Sequence, residues 1–436
     1  MQILEWDLFQ NRIDRFKYFI CLSITQLKNR ANNMKALYFD IPRYLELKQK
    51  VAQDSDFKLH PYDLVLYSKD YEEPTLINEN WIKVKVILGG ICGSDMHMMN
   101  LQNSMVLSPL TSFPSIPGHE IVGEVIEIGD NVKDLKIGDR VICDTNLSCE
   151  VRGLDPCPQC NAGDYNLCIN LDKGDISPGV VFGVCKDTGG GWGEFIVAHH
   201  RFVYKIPENI SWEQALIAEP ISCALHGILK HRAQENDKCV VIGCGTIGLA
   251  VISTIKALGI KEIYATARYN FQAEIAKQLG AKEVFIAKKD LHIKKLGRKL
   301  DSKILSPPLE SAYPYGGGAD IVYDSVGNAS SLNDALRLIK MKGHLILIGY
   351  PGNIKVDWTP LISKEITIIS SNIFSYDTFE GQRKRTMEIA LDLISSGAVN
   401  AEPFVTHTYS LDNYKTALET ANNKSPNEAI KVAFKY

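Results

Sequence analysis

The sequence holds no apolar run approaching the roughly 20 residues that a membrane-spanning helix needs. Its segment FKYFICLSITQL (17–28) is short and interrupted, follows acidic as well as basic residues, and lacks a small-residue cleavage site, which argues against a secretory signal. An excess of charge of one sign is also missing. Lys and Arg total 48 against 51 Asp and Glu, a formal net charge of −3, so neither nucleic acid nor an anionic membrane surface is expected as a partner. Cysteine is too sparse for a disulfide scaffold. The 11 cysteines are odd in number and spread over 436 residues, which points to a reducing compartment, the cytoplasm, with thiols buried or bound to metal. There is no internal repeat and no low-complexity tract.

The length fits two domains better than one. Residues 1–33 differ in character from the rest of the chain and read as an N-terminal extension, either preceding a functional start at Met34 or forming a loosely attached helix. From MKALYF at Met34 the chain is rich in short strands: WIKVKVILGGI (81–91), EIVGEVIEIG (120–129) and the turn-plus-strand NVKDLKIGDRVI (131–142). Their spacing suggests a partly open β-barrel over 34–207. From 208 to 371 strands alternate with helices, as in KCVVIGCGTIGLAVISTIKALG (238–259), EIYATAR (262–268), ADIVYDSVG (319–327) and HLILIGYPG (344–352), which implies a doubly wound parallel sheet. Residues 372–436 leave that rhythm. The helix MEIALDLISSGAV and the last strand IKVAFKY suggest a segment returning to the first domain. The expected class is α/β. The basic stretch 288–318 reads as a solvated helix and a surface loop.

Four cysteines crowd together in SCEVRGLDPCPQCNAGDYNLC: Cys149, Cys157, Cys160 and Cys168. Four thiolates satisfy Zn²⁺ tetrahedrally and leave no open position, the signature of a structural site. Further on, Gly243-Cys244-Gly245-Thr246-Ile247-Gly248 is G-x-G-x-x-G between an apolar strand and a helix. In that context Gly243 makes the tight turn, Gly245 lets the backbone approach a pyrophosphate and Gly248 lets helix and strand pack. The helix N-terminus offers free N–H groups to the phosphates. The second strand ends in Ala267, followed by Arg268, where an NAD site places a carboxylate for the ribose 2′-OH. A guanidinium there suits a 2′-phosphate, so NADP is expected over NAD. The alternative is that Arg268 points to solvent and Glu274 or another acid reads the ribose. Thr246, Ile247 and the later Ile348 complete the expected cofactor contacts.

A second donor set is dispersed. Cys92-Gly93-Ser94-Asp95-Met96-His97 follows a strand, Pro117-Gly118-His119-Glu120 precedes another, and Glu219-Pro220 lies in the apolar stretch ALIAEPISCALHGIL. Cys, His and a carboxylate suit a catalytic Zn²⁺ with one open position, and a Glu buried in such a helix needs a partner.

The ordered set of the CGSD-x-H box, PGHE box, GDRV strand, cysteine loop, EP pair and glycine motif resembles the zinc-containing medium-chain alcohol/polyol dehydrogenase family, from Met34 to Tyr436. The resemblance implies a GroES-like catalytic domain, a Rossmann domain and a homodimer or homotetramer. It implies Cys92, His119 and Glu219 as catalytic zinc ligands, with Glu120 as an alternative ligand or a purely supporting carboxylate. Asp95 becomes the acid that orients a zinc-bound imidazole. Ser94 starts a proton relay that His97 ends, unless His97 is an ordinary surface histidine. His199, His200, His226 and His231 match no ligand position, and Cys223, Cys239 and Cys244 read as packed core.

One departure is visible. The family's first cysteine ligand sits three residues before the second, where this chain has Leu154. Cys149 lies further upstream and would be delivered by a flexible insert containing Gly153 and Pro156, with Cys143, Glu150 or Asp155 as lesser candidates. The function implied is zinc-dependent hydride transfer between an alcohol, polyol or sugar and NAD(P). Competing readings are a zinc-free quinone or enone reductase and a non-enzymatic NADP-binding sensor.

Overall fold

Two sheets divide the chain, and the sites lie where their strands end. The computed structural model describes residues 33–436. The expected N-terminal extension therefore lies outside the described residues, except that Asn33 already opens the strand Asn33–Tyr38.

The first sheet has seven strands. Its centre is Trp81–Ile91, antiparallel to Ile121–Ile128 on one side and to the last strand, Lys431–Lys435, on the other. Arg140–Cys143 and Val203–Lys205 continue it beyond Ile121–Ile128, and Phe195–His199 pairs with Trp81–Ile91 as well. The inward set Trp81, Val84, Val86, Ile121, Val125 and Val141 is fully buried. This is the partly open barrel expected from the strand spacing. The return of the C-terminal strand is direct: Val432 pairs with Ile91, which places Lys431 beside the start of the CGSD box.

The second sheet has six strands in the order Glu283–Ile286, Glu262–Ala267, Lys238–Ile242, Ala319–Asp324, Ile339–Leu347, Thr367–Ser370, and every pair is parallel. The chain winds outward from Lys238–Ile242 in one direction, then crosses to Ala319–Asp324 and winds the other way. The crevice at that switch point, beyond the carboxyl ends of the two strands, is where a doubly wound sheet binds its ligand.

Three elements depart from the sequence expectation. Residues 41–53 form a helix inside the β-rich half. Asp40 caps it, accepting from the Arg43 N–H at 2.8 Å, Pro42 suits its first turn, and Tyr44 and Leu47 are the side chains it buries. The loop after the basic helix Asp290–Lys299 contains a short hairpin, Lys303–Leu305 with Tyr313–Tyr315. A second hairpin, Tyr376–Phe379 with Gln382–Arg385, docks on the cysteine lobe, where Arg383 donates to the Ala162 carbonyl. Among the described residues no helix is long and apolar enough to cross a membrane.

Candidate metal centres and nucleotide crevice

Cys92 ends the central barrel strand and caps the helix Gly93–Met99. Asp95, third in that helix, accepts from the Cys92 N–H at 2.8 Å, which fixes the turn. His119 and Glu120 enter the neighbouring strand, so antiparallel pairing brings them opposite Cys92. Ligand atoms of Cys92, His119 and Glu120 lie within 4.8 Å of one another. Asp95 Oδ1 stands 3.6 Å from His119 Nδ1, where the resemblance expected an orienting acid. Burial opposes charge on His119, but Asp95 and the Cys92 thiol outweigh it and raise the imidazole well above its ordinary range.

Glu219 sits in the first turn of the helix Ala218–Lys230 and is buried. It falls outside the 4.8 Å group, yet it belongs to the same electrostatic cluster. Burial, then the Glu120 charge, push its carboxyl up to about 7, with His119 and Lys431 acting against them. Its nearest partner is the Cys223 thiol at 3.7 Å. Cys223 is therefore a half-buried thiol at the edge of this centre and not simply packed core. Ser94 and His97 are both exposed on the helix Gly93–Met99.

Lys431 is the residue that the sequence did not reveal. Its Nζ lies 2.5 and 2.7 Å from the two Glu120 oxygens and 3.3 Å from the Ile91 carbonyl. Both side chains are almost fully shielded. Only strand pairing between residues far apart in the chain brings them together; a lone lysine opening an apolar strand was the available signal.

The cysteine cluster is complete. Sγ atoms of Cys149, Cys157, Cys160 and Cys168 lie within 4.8 Å of one another. Cys149 Sγ is 3.5 Å from Cys168 Sγ and accepts from the Cys157 N–H at 3.4 Å. Burial works against a thiolate at Cys157, but the N–H groups of Cys160 and Ile169 prevail and bring it down to about 6. Four converging thiols, one already favouring the thiolate, fit Zn²⁺.

The insert is not the flexible tether that was expected. Arg152 is fully buried, and its guanidinium donates to the carbonyls of Leu147 at 2.8 Å, Lys173 at 2.9 Å, Ile176 at 3.1 Å and Gly179 at 2.7 Å. This fixed turn, closed by Leu154 N–H to Cys149 O at 3.0 Å, presents Cys149. Of the lesser candidates, Glu150 pairs with Arg201 and Arg385 and Cys143 is packed in the barrel core. His200 pairs with Asp134, His226 with Asp377, and His231 stacks on His344.

In the crevice Gly243 takes φ +87°, a region open to glycine. A Cβ at Gly248 would lie 1.7 Å from the Gly243 carbonyl oxygen, whereas one at Gly245 would meet nothing within 4 Å. The turn is thus closed behind and open in front, as a pyrophosphate requires. Thr246 and Ile247 open the helix Thr246–Ala257, and Ile348 stands half-buried beyond the strand Ile339–Leu347. Ala267 is buried at its strand end, and Arg268 is exposed, its guanidinium 5.4 Å from the Tyr269 ring. Glu274 is exposed on the helix Asn270–Gln278. A cavity of about 360 Å³ runs from Cys92 and His97 past Asn100 and Lys424 to Arg268.

Comparison with known proteins agrees with this arrangement. The alcohol dehydrogenase GroES-like domain family matches residues 78–208, and the zinc-binding dehydrogenase family matches residues 246–396. The chain is 27% identical over 405 residues to D-arabinitol dehydrogenase 1 of Uromyces fabae, covering 92% of this chain and 97% of that protein. It is 30% identical over 362 residues to sorbitol dehydrogenase of Halalkalibacterium halodurans, covering 83% and 92%. The alcohol dehydrogenase TADH of Thermus sp. ATN1 shares the fold, with a TM-score of 0.69 at 24% identity over 92% of this chain and 99% of that one.

Proposed function

This chain belongs to the zinc-containing medium-chain alcohol/polyol dehydrogenase family, and we propose that it oxidises a polyol or sugar with NADP at the Cys92–His119 centre. It is an oxidoreductase, a zinc-dependent NAD(P) alcohol/polyol dehydrogenase. The observation that carries the proposal is the meeting of the Cys92 and His119 ligand atoms within 4.8 Å beside two buried carboxylates, Glu120 and Glu219, which the zinc-free reductase reading has no use for.

Cys92, His119 and Glu219 are the ligands we assign. Both Glu120 oxygens accept from Lys431, whereas Glu219 has, among the described residues, a single side-chain partner, the Cys223 thiol at 3.7 Å. A zinc ion held there would act as a Lewis acid on the substrate oxygen, while the nicotinamide would accept the hydride. Asp95, 3.6 Å from His119 Nδ1, is the acid placed to steady the imidazole of a zinc-bound His119. Ser94 and His97, exposed on the same helix, carry the proton from the substrate hydroxyl to water. The Gly243–Gly248 turn holds the cofactor with Thr246, Ile247 and Ile348. Arg268 takes the 2′-phosphate, supported by the lack of any carboxylate at that strand end.

A second zinc at Cys149, Cys157, Cys160 and Cys168 would be structural. The domain limits that go with this reading are 34–207 and 208–371, with 372–436 returning to the first domain. A cytoplasmic homodimer or homotetramer belongs to the same reading.

The test is a screen of polyols and aldoses with NADP and NAD against wild type and Cys92→Ser. Turnover of polyols that favours NADP and disappears in Cys92→Ser supports the proposal. Turnover that survives Cys92→Ser overturns the metal centre, and preference for NAD overturns the role of Arg268.

A further inference from the structure

Glu219 is not fixed by its own bonds, since its side-chain partner among the described residues is a thiol at 3.7 Å. Its position is set by the helix Ala218–Lys230, whose first turn carries it. Residues four and seven positions on share its helical face, so His226 points the same way as Glu219, two turns and about 10 Å further along the axis. Ile221, Ala224, Leu225 and Ile228 bury the helix, but apolar packing is non-directional and does not by itself set the helix's roll.

His226 supplies a directional bond. Its Nδ1 donates to Asp377 Oδ2 at 2.8 Å, with the two side chains 4% and 10% exposed. Its other ring nitrogen is buried and has no hydrogen-bond partner among the described residues, so Asp377 alone orients the ring. The carboxylate is held in turn. The Thr386 hydroxyl, fully buried, lies 2.7 Å from the same Asp377 Oδ2 and 2.7 Å from the Ser375 carbonyl. Asp377 itself belongs to the hairpin that docks on the cysteine lobe. The Asn372 carbonyl accepts from Asn166 Nδ2 at 2.6 Å, and the Phe374 carbonyl accepts from Asn146 Nδ2 at 3.2 Å. At the other end of the hairpin Arg385 donates to the hydroxyls of Tyr376 at 3.1 Å and Tyr204 at 3.2 Å. The anchor of the His226 ring is thus tied to the barrel and the cysteine lobe.

We infer that Asp377 is a positioning residue for the catalytic metal: through His226 it fixes the roll of the helix Ala218–Lys230 and so holds Glu219 toward Cys92 and His119. The inference rests on the assignment of Glu219 as the third ligand. It places a residue of the hairpin, remote in sequence from all three ligands, among those that hydride transfer depends on.

Zinc release to a chelator from the fully loaded protein tests this, the Cys92-bound ion being the pool that Cys92→Ser lacks. Asp377→Ala should speed its loss by about tenfold, while the cysteine-bound ion leaves at the wild-type rate and NADPH affinity holds. Asp377→Asn, whose amide oxygen still accepts from His226, should keep most of the wild-type behaviour. With cobalt in place of zinc, the visible difference spectrum against Cys92→Ser reports the ligand field at this centre, and Asp377→Ala should shift it. If Asp377→Ala fails to fold, Thr386→Val and Thr386→Ser decide: the first removes the hydroxyl beside the carboxylate and should speed loss of the same pool, and the second should not. Wild-type release with an unshifted cobalt spectrum would overturn the inference and leave the metal centre standing. So would equal acceleration of both zinc pools with weakened NADPH binding, which would make Asp377 a general structural support. Release at the wild-type rate from Glu219→Gln would give the third ligand to Glu120 and overturn it as well. A cobalt spectrum that is the same in wild type and Cys92→Ser would overturn the metal centre and this inference with it.

Discussion

Replacing Lys431 with Met probes the least local feature of the site. Glu120 and Lys431 are 1% and 3% exposed, so neither can be rehydrated without opening the barrel. At the Nζ–O distances of 2.5 and 2.7 Å, an effective dielectric of about 20 gives an attraction of about 6 kcal/mol. Desolvation of the two charges offsets most of it, so the pair contributes little net stability. Removing one partner is different: the Glu120 carboxylate stays behind, buried and uncompensated, at a cost of about 3–5 kcal/mol. Urea unfolding of the zinc-loaded protein, followed by tryptophan fluorescence, should show that loss for Lys431→Met. Lys431→Met combined with Glu120→Gln should recover most of it, giving a large coupling in the double-mutant cycle. A loss under about 1 kcal/mol, or additive single effects, would mean that water reaches the pair and would remove the reason for assigning Glu219 over Glu120 as ligand.

The same geometry sets three further outcomes. Cys149→Ser should lower zinc content by one equivalent and lower thermal stability while leaving polyol turnover measurable; unchanged zinc content would return the fourth ligand position to another residue. Arg152→Leu should destabilise the cysteine lobe by about 2–4 kcal/mol because several buried carbonyls lose their donor at once, seen as faster zinc loss to a chelator; wild-type release kinetics would contradict the clamp. In zinc-free protein the Glu219 carboxyl is raised from 4.5 to about 7. Its contribution to stability is thus full below about pH 4.5 and lost as pH rises through about 7. Urea midpoints should show this fall in wild type and not in Glu219→Gln, and the same slope in both would contradict the burial of that charge.

Features encoded within a few residues were legible in the sequence. The central strand Trp81–Ile91 was read with its limits because Val and Ile richness and bounding glycines are local signals. The glycine turn carried its own steric logic, and the four cysteines announced a metal by composition alone. Helix Ile41–Gln53 was missed because it buries only Tyr44 and Leu47 and its cap lies one residue before an inconspicuous Ile-Pro. What pairs distant positions could not be read: Lys431 finds Glu120 only because the last strand lies antiparallel to Trp81–Ile91. Arg152 looked like part of a loose insert because nothing in EVRGLDP states that its guanidinium turns inward to five carbonyls.

Zinc-dependent hydride transfer with one catalytic and one structural metal makes a direct demand on metal content. Zinc analysis during chelation, run alongside polyol-dependent reduction of NADP, measures it. Two zinc ions per chain are expected, with loss of turnover as the first is withdrawn and recovery when zinc is restored while the cysteine-bound ion stays in place. Turnover that persists after the Cys92 centre is emptied would contradict the assignment.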